Sequence, residues 1–162
     1  MNKKADVSTQ PSPRVYIVDD TADYRFLVQQ IFDRFLTQYR VALFPGGDAL
    51  LTHLRQIPAR SPEAEASLPA LILLDLHMPY LDGKQTLAQL KDDPALKNIP
   101  VVIVTSSSSA EEIRACYEAG ANSCLPKPIG IEAMQQLLGL TCHYWVDTNW
   151  QLVPAVSSPN HS

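Results

Sequence analysis

The sequence predicts an α/β fold: a doubly wound, five-stranded parallel sheet with helices on both faces. Three observations carry this. The runs 15–18, 71–74 and 101–104 are almost wholly apolar, the pattern of strands covered on both sides. Segments of helical spacing alternate with the strands. The three runs also end on oxygen-bearing side chains: Asp19 and Asp20, Asp75, and Thr105. Strands lying side by side and parallel would gather three carboxylates and a hydroxyl at one sheet edge, where ligands bind in open α/β folds.

The elements follow in order. Residues 1–13 are polar, hold two prolines and read as a flexible leader. Strand one spans 15–19. A helix follows with Tyr24, Leu27, Val28, Ile31 and Phe35 on one face, and Asp20 or Thr21 placed to cap it. A weaker strand, 39–44, leads through Gly46-Gly47 to a short helix, 48–55, carrying Leu50, Leu51 and Leu54. The proline-bearing stretch 56–69 reads as a long connector. Asp75 ends the central strand, and a loop to Gly83 precedes a helix over 84–93, stopped by Pro94. After strand four and Ser106 to Ser109, the Ser109/Glu112 spacing is a capping-box signature for a helix ending at Gly120. Strand five, 122–125, runs into Pro126-Lys127-Pro128, which places it at the sheet rim. The last helix runs from about Ile131 to Trp145. Residues 14–146 form the expected domain, with a tail over 147–162.

Composition narrows the function. A chain of 162 residues suits one domain, and its net charge of −4 argues against a nucleic-acid surface. Cys116, Cys124 and Cys142 are odd in number and lack CxxC spacing, so neither a disulfide framework nor a zinc site is expected. There is no signal-peptide core and no membrane-length apolar run, so the expected location is the cytoplasm.

The site reading starts from charge. Carboxylates so close repel one another unless a cation sits among them, and Mg²⁺ suits oxygen ligands. Lys127 and Thr105 supply the positive charge and hydrogen bond that a transferred phosphoryl group needs. Asp75 is then the nucleophile, forming an acyl phosphate. Simpler readings stand beside this one: Asp19 and Asp20 as helix caps, Lys127 as a surface lysine, His77 as a loop side chain flanking the pocket. A redox role for Cys124 competes with that of a small buried thiol.

Asp19, Asp20, Asp75, Met78-Pro79 with Asp82-Gly83, Thr105 and Lys127-Pro128, in that order and on those elements, resemble the receiver domain of two-component response regulators. The resemblance covers about 14–145 and implies a flavodoxin-like strand order 2-1-3-4-5 with Asp75 as phosphoacceptor. It implies Mg²⁺ held directly by Asp20, Asp75 and the main-chain carbonyl of His77, with Asp19 acting mainly through water. Lys127 would grip the phosphoryl group, the bond to Pro128 would be cis, and Thr105 would turn toward the phosphate and draw its loop along. His77 and Ser107 would tune hydrolysis. The run DDPALKNIPVVIVTSS and the long loop before strand three are similar to stand-alone receivers found beside phytochrome-type histidine kinases. Implied partners are a sensor histidine kinase or phosphotransfer protein and a downstream protein target. The chain would be a phosphoacceptor assisting its own phosphorylation and dephosphorylation, not an enzyme acting on other substrates.

One position departs from the pattern. Three residues before the lysine the family usually carries Tyr or Phe; here it is Cys124. The alternative function is therefore a pseudo-receiver that binds partners without phosphorylation. Tyr144, Trp145 and Trp150 either fold back on the last helix or form a homodimer or partner surface.

Overall fold

The computed structural model describes residues 12–58 and 62–151. Most of the leader expected over 1–13, and the tail beyond 151, lie outside the described residues. Five strands, β1 (Arg14–Val18), β2 (Arg40–Phe44), β3 (Leu71–Leu74), β4 (Val101–Thr105) and β5 (Ser123–Pro126), alternate with helices. The helices are α1 (Ala22–Phe35), α2 (Gly47–Arg55), α3 (Pro62–Ser67), α4 (Gly83–Asp92), α5 (Ala110–Glu118) and α6 (Ile131–Cys142), followed by a π-helical stretch, His143–Thr148. All four strand pairings are parallel, in the order β2-β1-β3-β4-β5, as expected, with β5 at the rim.

Alternation along the strands builds two cores. Val15, Ile17, Leu71, Leu73, Val102 and Val104 face Val28, Ile31 and Phe32 of α1 and Met134 and Leu138 of α6. Tyr16, Val18, Ile72, Leu74, Val101 and Ile103 face Leu50, Leu51 and Leu54 of α2, Leu87 and Leu90 of α4, and Cys116 of α5. Burial on both faces is why β1, β3 and β4 are nearly continuous apolar runs. No helix among the described residues is long and apolar enough to cross a membrane.

Four local expectations change. The stretch 56–69 is not all connector: Pro62–Ser67 form α3, with proline where a helix start tolerates a missing N–H and the Ser67 hydroxyl donating to the Glu63 carbonyl. Phe35 is more than half exposed, because Phe32, one turn earlier, takes the place in the core. No peptide bond among the described residues is cis, so Lys127–Pro128 is trans, the form an X–Pro bond prefers. The last helix stops being α-helical at Cys142. The π-helical stretch carries Trp145 back against the α1/α6 core, and Tyr39 donates a hydrogen bond to Asp147. Trp145 thus folds back, whereas Trp150 is 93% exposed.

Candidate phosphoacceptor site

The parallel register delivers the expected groups to one edge. Asp19 and Asp20 follow β1, Asp75 follows β3, Thr105 ends β4 and Lys127 follows β5. One carboxylate oxygen from each of Asp19, Asp20 and Asp75 lies within 4.8 Å of the others. Asp19 is buried (1% exposed), Asp75 nearly so (8%), and Thr105 is buried as well, whereas Asp20 is open to solvent.

Each member is held by its neighbours. The Asp75 N–H donates to the Val18 carbonyl at 2.9 Å, which keeps β3 in line with β1 to its last residue. Behind Asp75, the Gly83 N–H donates to the Leu76 carbonyl at 2.8 Å. A Cβ on Gly83 would lie 2.2 Å from the Asp75 carbonyl oxygen, so only glycine lets α4 start this close to the acceptor loop. Asp82 and Gln85 complete a reciprocal capping box there. The Lys127 N–H donates to the Thr105 carbonyl at 2.8 Å, and the Thr105 hydroxyl accepts from the Ser107 N–H at 3.0 Å.

Lys127 does not sit loose at the surface. Its Nζ donates to Asp19 Oδ2 at 2.6 Å and stands 4.0 Å from the centre of the Tyr24 ring. Asp19 is thus the lysine's direct partner, a contact additional to the water-mediated role expected of it. Its other oxygen caps the turn into α1 by accepting from the Thr21 N–H at 2.8 Å. Thr21 itself occupies the N-cap without a side-chain bond.

The electrostatics favour a cation. Burial, with Asp19 and then Asp20 nearby, raises the Asp75 carboxyl to about 6 against the lowering pull of Lys127 and of the Leu76 N–H. Three carboxylates share one ammonium, and a hard divalent ion would relieve the excess. The donor set therefore fits Mg²⁺.

Sequence reasoning missed three contributors. Tyr24 was expected only as core, yet its ring covers Lys127 while its hydroxyl donates to the Met134 sulfur at 3.5 Å. Arg25 donates to the Asp19 carbonyl at 2.7 Å. Both lie in the first turns of α1, directly after the acidic pair, and that proximity was the available signal. Glu112, expected to close a capping box with Ser109, instead meets the His77 imidazole at 3.1 Å. Cys124, at the position of the usual aromatic, is half-buried on β5 against the core that contains Cys116, and its N–H donates to the Tyr117 hydroxyl at 3.2 Å.

A receiver-domain family model, that of the response regulator receiver domain, matches residues 15–139. The response regulator Rcp1 of Synechocystis is 31% identical over 144 residues, covering 89% of this chain and 95% of Rcp1. The probable methanogenesis regulatory protein FilR2 of Methanothrix harundinacea is 32% identical over 141 residues, covering 87% and 88%. Among solved structures, the phosphorylated cyanobacterial phytochrome response regulator RcpA superposes with a TM-score of 0.75 at 29% identity, covering 86% of this chain and 98% of RcpA. A Mn²⁺-bound form of Rcp1 gives 0.71 at 30% identity, covering 86% and 99%. With the family motif residues at one sheet edge and the family model spanning most of its length, the chain belongs to the response regulator receiver family.

Proposed function

We propose that this receiver accepts a phosphoryl group on Asp75 from a sensor histidine kinase or a histidine phosphotransfer protein, and that the altered surface is read by a downstream protein. The observation that carries this reading is the convergence of Asp75 with Asp19, Asp20, Thr105 and Lys127 at one edge of the sheet. An Asp75 carboxylate oxygen attacks the phosphorus, an O–P bond forms, and the N–P bond to the donor histidine breaks with the electron pair returning to the imidazole. Lys127 and the Thr105 hydroxyl are placed to receive the phosphoryl oxygens. Asp20, Asp75 and the His77 carbonyl would hold Mg²⁺ directly, with Asp19 behind them, and the ion would neutralise charge on the transferring group. Hydrolysis returns Asp75 to its free state, so the chain acts as a phosphoacceptor and turns over no separate substrate.

Similarity to the phytochrome response regulator RcpA supports a partner of the phytochrome-linked kinase type, and a cytoplasmic location accords with such a partner. Half-exposed Tyr144 and exposed Trp150 suit a contact with a second copy or another protein.

The test is intact mass after incubation with acetyl phosphate and Mg²⁺, beside Asp75→Asn and an EDTA control. One phosphoryl adduct requiring both Asp75 and Mg²⁺ is expected. No adduct, under conditions that label another receiver, would favour the phosphate-independent binding module left open by Cys124.

A further inference from the structure

The loop between β3 and α4 leaves the acceptor and returns to it. The Gly83 N–H, donating to the Leu76 carbonyl at 2.8 Å, closes its two ends. Leu76 and Met78 are buried in the core, and Leu81 packs half-buried against it. Between Met78 and Leu81 the chain turns at Tyr80. The Leu81 N–H donates to the Pro79 carbonyl at 2.9 Å, and Tyr80, at the centre of this three-residue turn, has a φ of 68°. A γ-turn with positive φ is the rare and strained form. Tyr80 is the one residue other than glycine with positive φ among the described residues.

Glycine suits such a position because it has no Cβ, whereas an L side chain there crowds its own carbonyl. The Tyr80 ring gains nothing inside the fold to offset this, because the residue is 97% exposed. A lone exposed aromatic needs no explanation. An aromatic held in water at the tip of a strained turn, between neighbours tied into the core, is a different case. Backbone strain of this kind persists where the surrounding structure fixes it and an outside contact uses it, and tyrosine is among the residue types that anchor protein contacts.

The place of the loop selects the partner. Tyr80 follows Leu76 by four residues, so its Cα lies within about 14 Å of the Leu76 Cα, next to the acceptor. A protein that phosphorylates Asp75 must bring its histidine to the rim of the site, and a helix carrying that histidine is already about 10–12 Å across. A donor of that width seated on Asp75 meets a ring projecting at this range; a molecule the size of acetyl phosphate does not. We infer that Tyr80 is a docking anchor for the histidine-bearing phosphodonor protein, its ring packing against the donor's surface as the phosphohistidine comes in line with Asp75. The inference rests on Asp75 being the phosphoacceptor, and the bonds made and broken are those of the transfer already proposed.

The test uses the full chain and two donors with Mg²⁺, read by intact mass: acetyl phosphate, and an autophosphorylated phytochrome-type histidine kinase chosen for labelling wild type. Tyr80→Ala is expected to slow transfer from the kinase about tenfold at limiting receiver, the scale of one aromatic anchor. The loss should lie in the receiver concentration needed for half-maximal rate, and labelling by acetyl phosphate should stay within about twofold of wild type. Tyr80→Phe, which keeps the ring, should match wild type with both donors. Tyr80→Gly, which relieves the strained φ and raises the urea midpoint over that of Tyr80→Ala, should lose transfer from the kinase as fully. Wild-type transfer from the kinase in Tyr80→Ala or in Tyr80→Gly, or an equal fall with both donors, overturns the anchor while leaving the acceptor in place. No adduct on wild type from acetyl phosphate or from any such kinase removes the acceptor reading and this inference with it.

Discussion

Lys127 Nζ and Asp19 Oδ2 stand 2.6 Å apart although 108 residues separate them in sequence. The contact bridges β1 and β5 across the site, under the Tyr24 ring. It supplies the main positive charge near Asp75, whose carboxyl it pulls downward against burial and the neighbouring acids. Lys127→Ala is expected to raise the Asp75 value further and to cut acetyl phosphate labelling at least about tenfold. Carboxyl carbon NMR across pH and initial labelling rates check the two outcomes. An Asp75 titration that stays where it is would show that burial alone sets it.

Asp75 also carries a stability cost. Its carboxyl is raised from 3.8 to about 6 in the fold, so the folded state holds this proton more tightly than the unfolded chain. The stabilisation is fully present below about pH 4 and is lost as pH rises through about 6. Asp75→Asn should therefore be more stable than wild type near neutral pH, on the order of 1–2 kcal/mol with solvent screening at the rim discounted. The gain should shrink toward about pH 4 and on adding Mg²⁺ to wild type, as read from urea midpoints. A gain independent of pH would point to packing and not to charge.

Gly83 controls how closely α4 approaches the acceptor loop. A methyl group there meets the Asp75 carbonyl at 2.2 Å and the Leu76 Cα at 2.8 Å, both backbone atoms that cannot swing aside. Gly83→Ala should cost about 2–3 kcal/mol and slow labelling of Asp75 by displacing its carboxylate. Denaturant melts and labelling rates measured together distinguish this from a simple loss of helix stability, which would leave labelling of the folded fraction intact.

Cys124 is predicted to be a poor nucleophile. Burial, then the neighbouring Cys116, pushes its thiol up to about 11, so near neutral pH its thiolate fraction is about a hundredfold below that of a free cysteine. Iodoacetamide labelling followed by peptide mass should be correspondingly slow and should rise about tenfold per pH unit. Labelling at the rate of an exposed cysteine at neutral pH would overturn this and revive a redox role.

The sheet and its acidic edge were legible in the chain because each depends on local pattern. Apolar runs at 15–18, 71–74 and 101–104, set between segments of helical spacing, carry the pattern of strands buried on both faces, and Asp19, Asp75 and Thr105 follow at their ends. Less was legible where packing arbitrates between similar residues. Phe32 and Phe35 both suit a helix face, and only the fit against β1 and α6 decides which is buried. The α3 helix is too short for its spacing to stand out from a proline-bearing connector.

Local pattern in the chain was enough for the five strands, the helices that alternate with them except α3, and the acids, hydroxyl and lysine that meet at the sheet edge. Tertiary packing set the partners: Lys127 with Asp19 and Tyr24, and Glu112 with His77 in place of closing its own cap. The reason is physical. Strand and helix patterns are written over neighbouring residues, whereas a charged side chain on a loop takes whichever partner the sheet order brings within reach, and that order joins residues 35 to 108 positions apart.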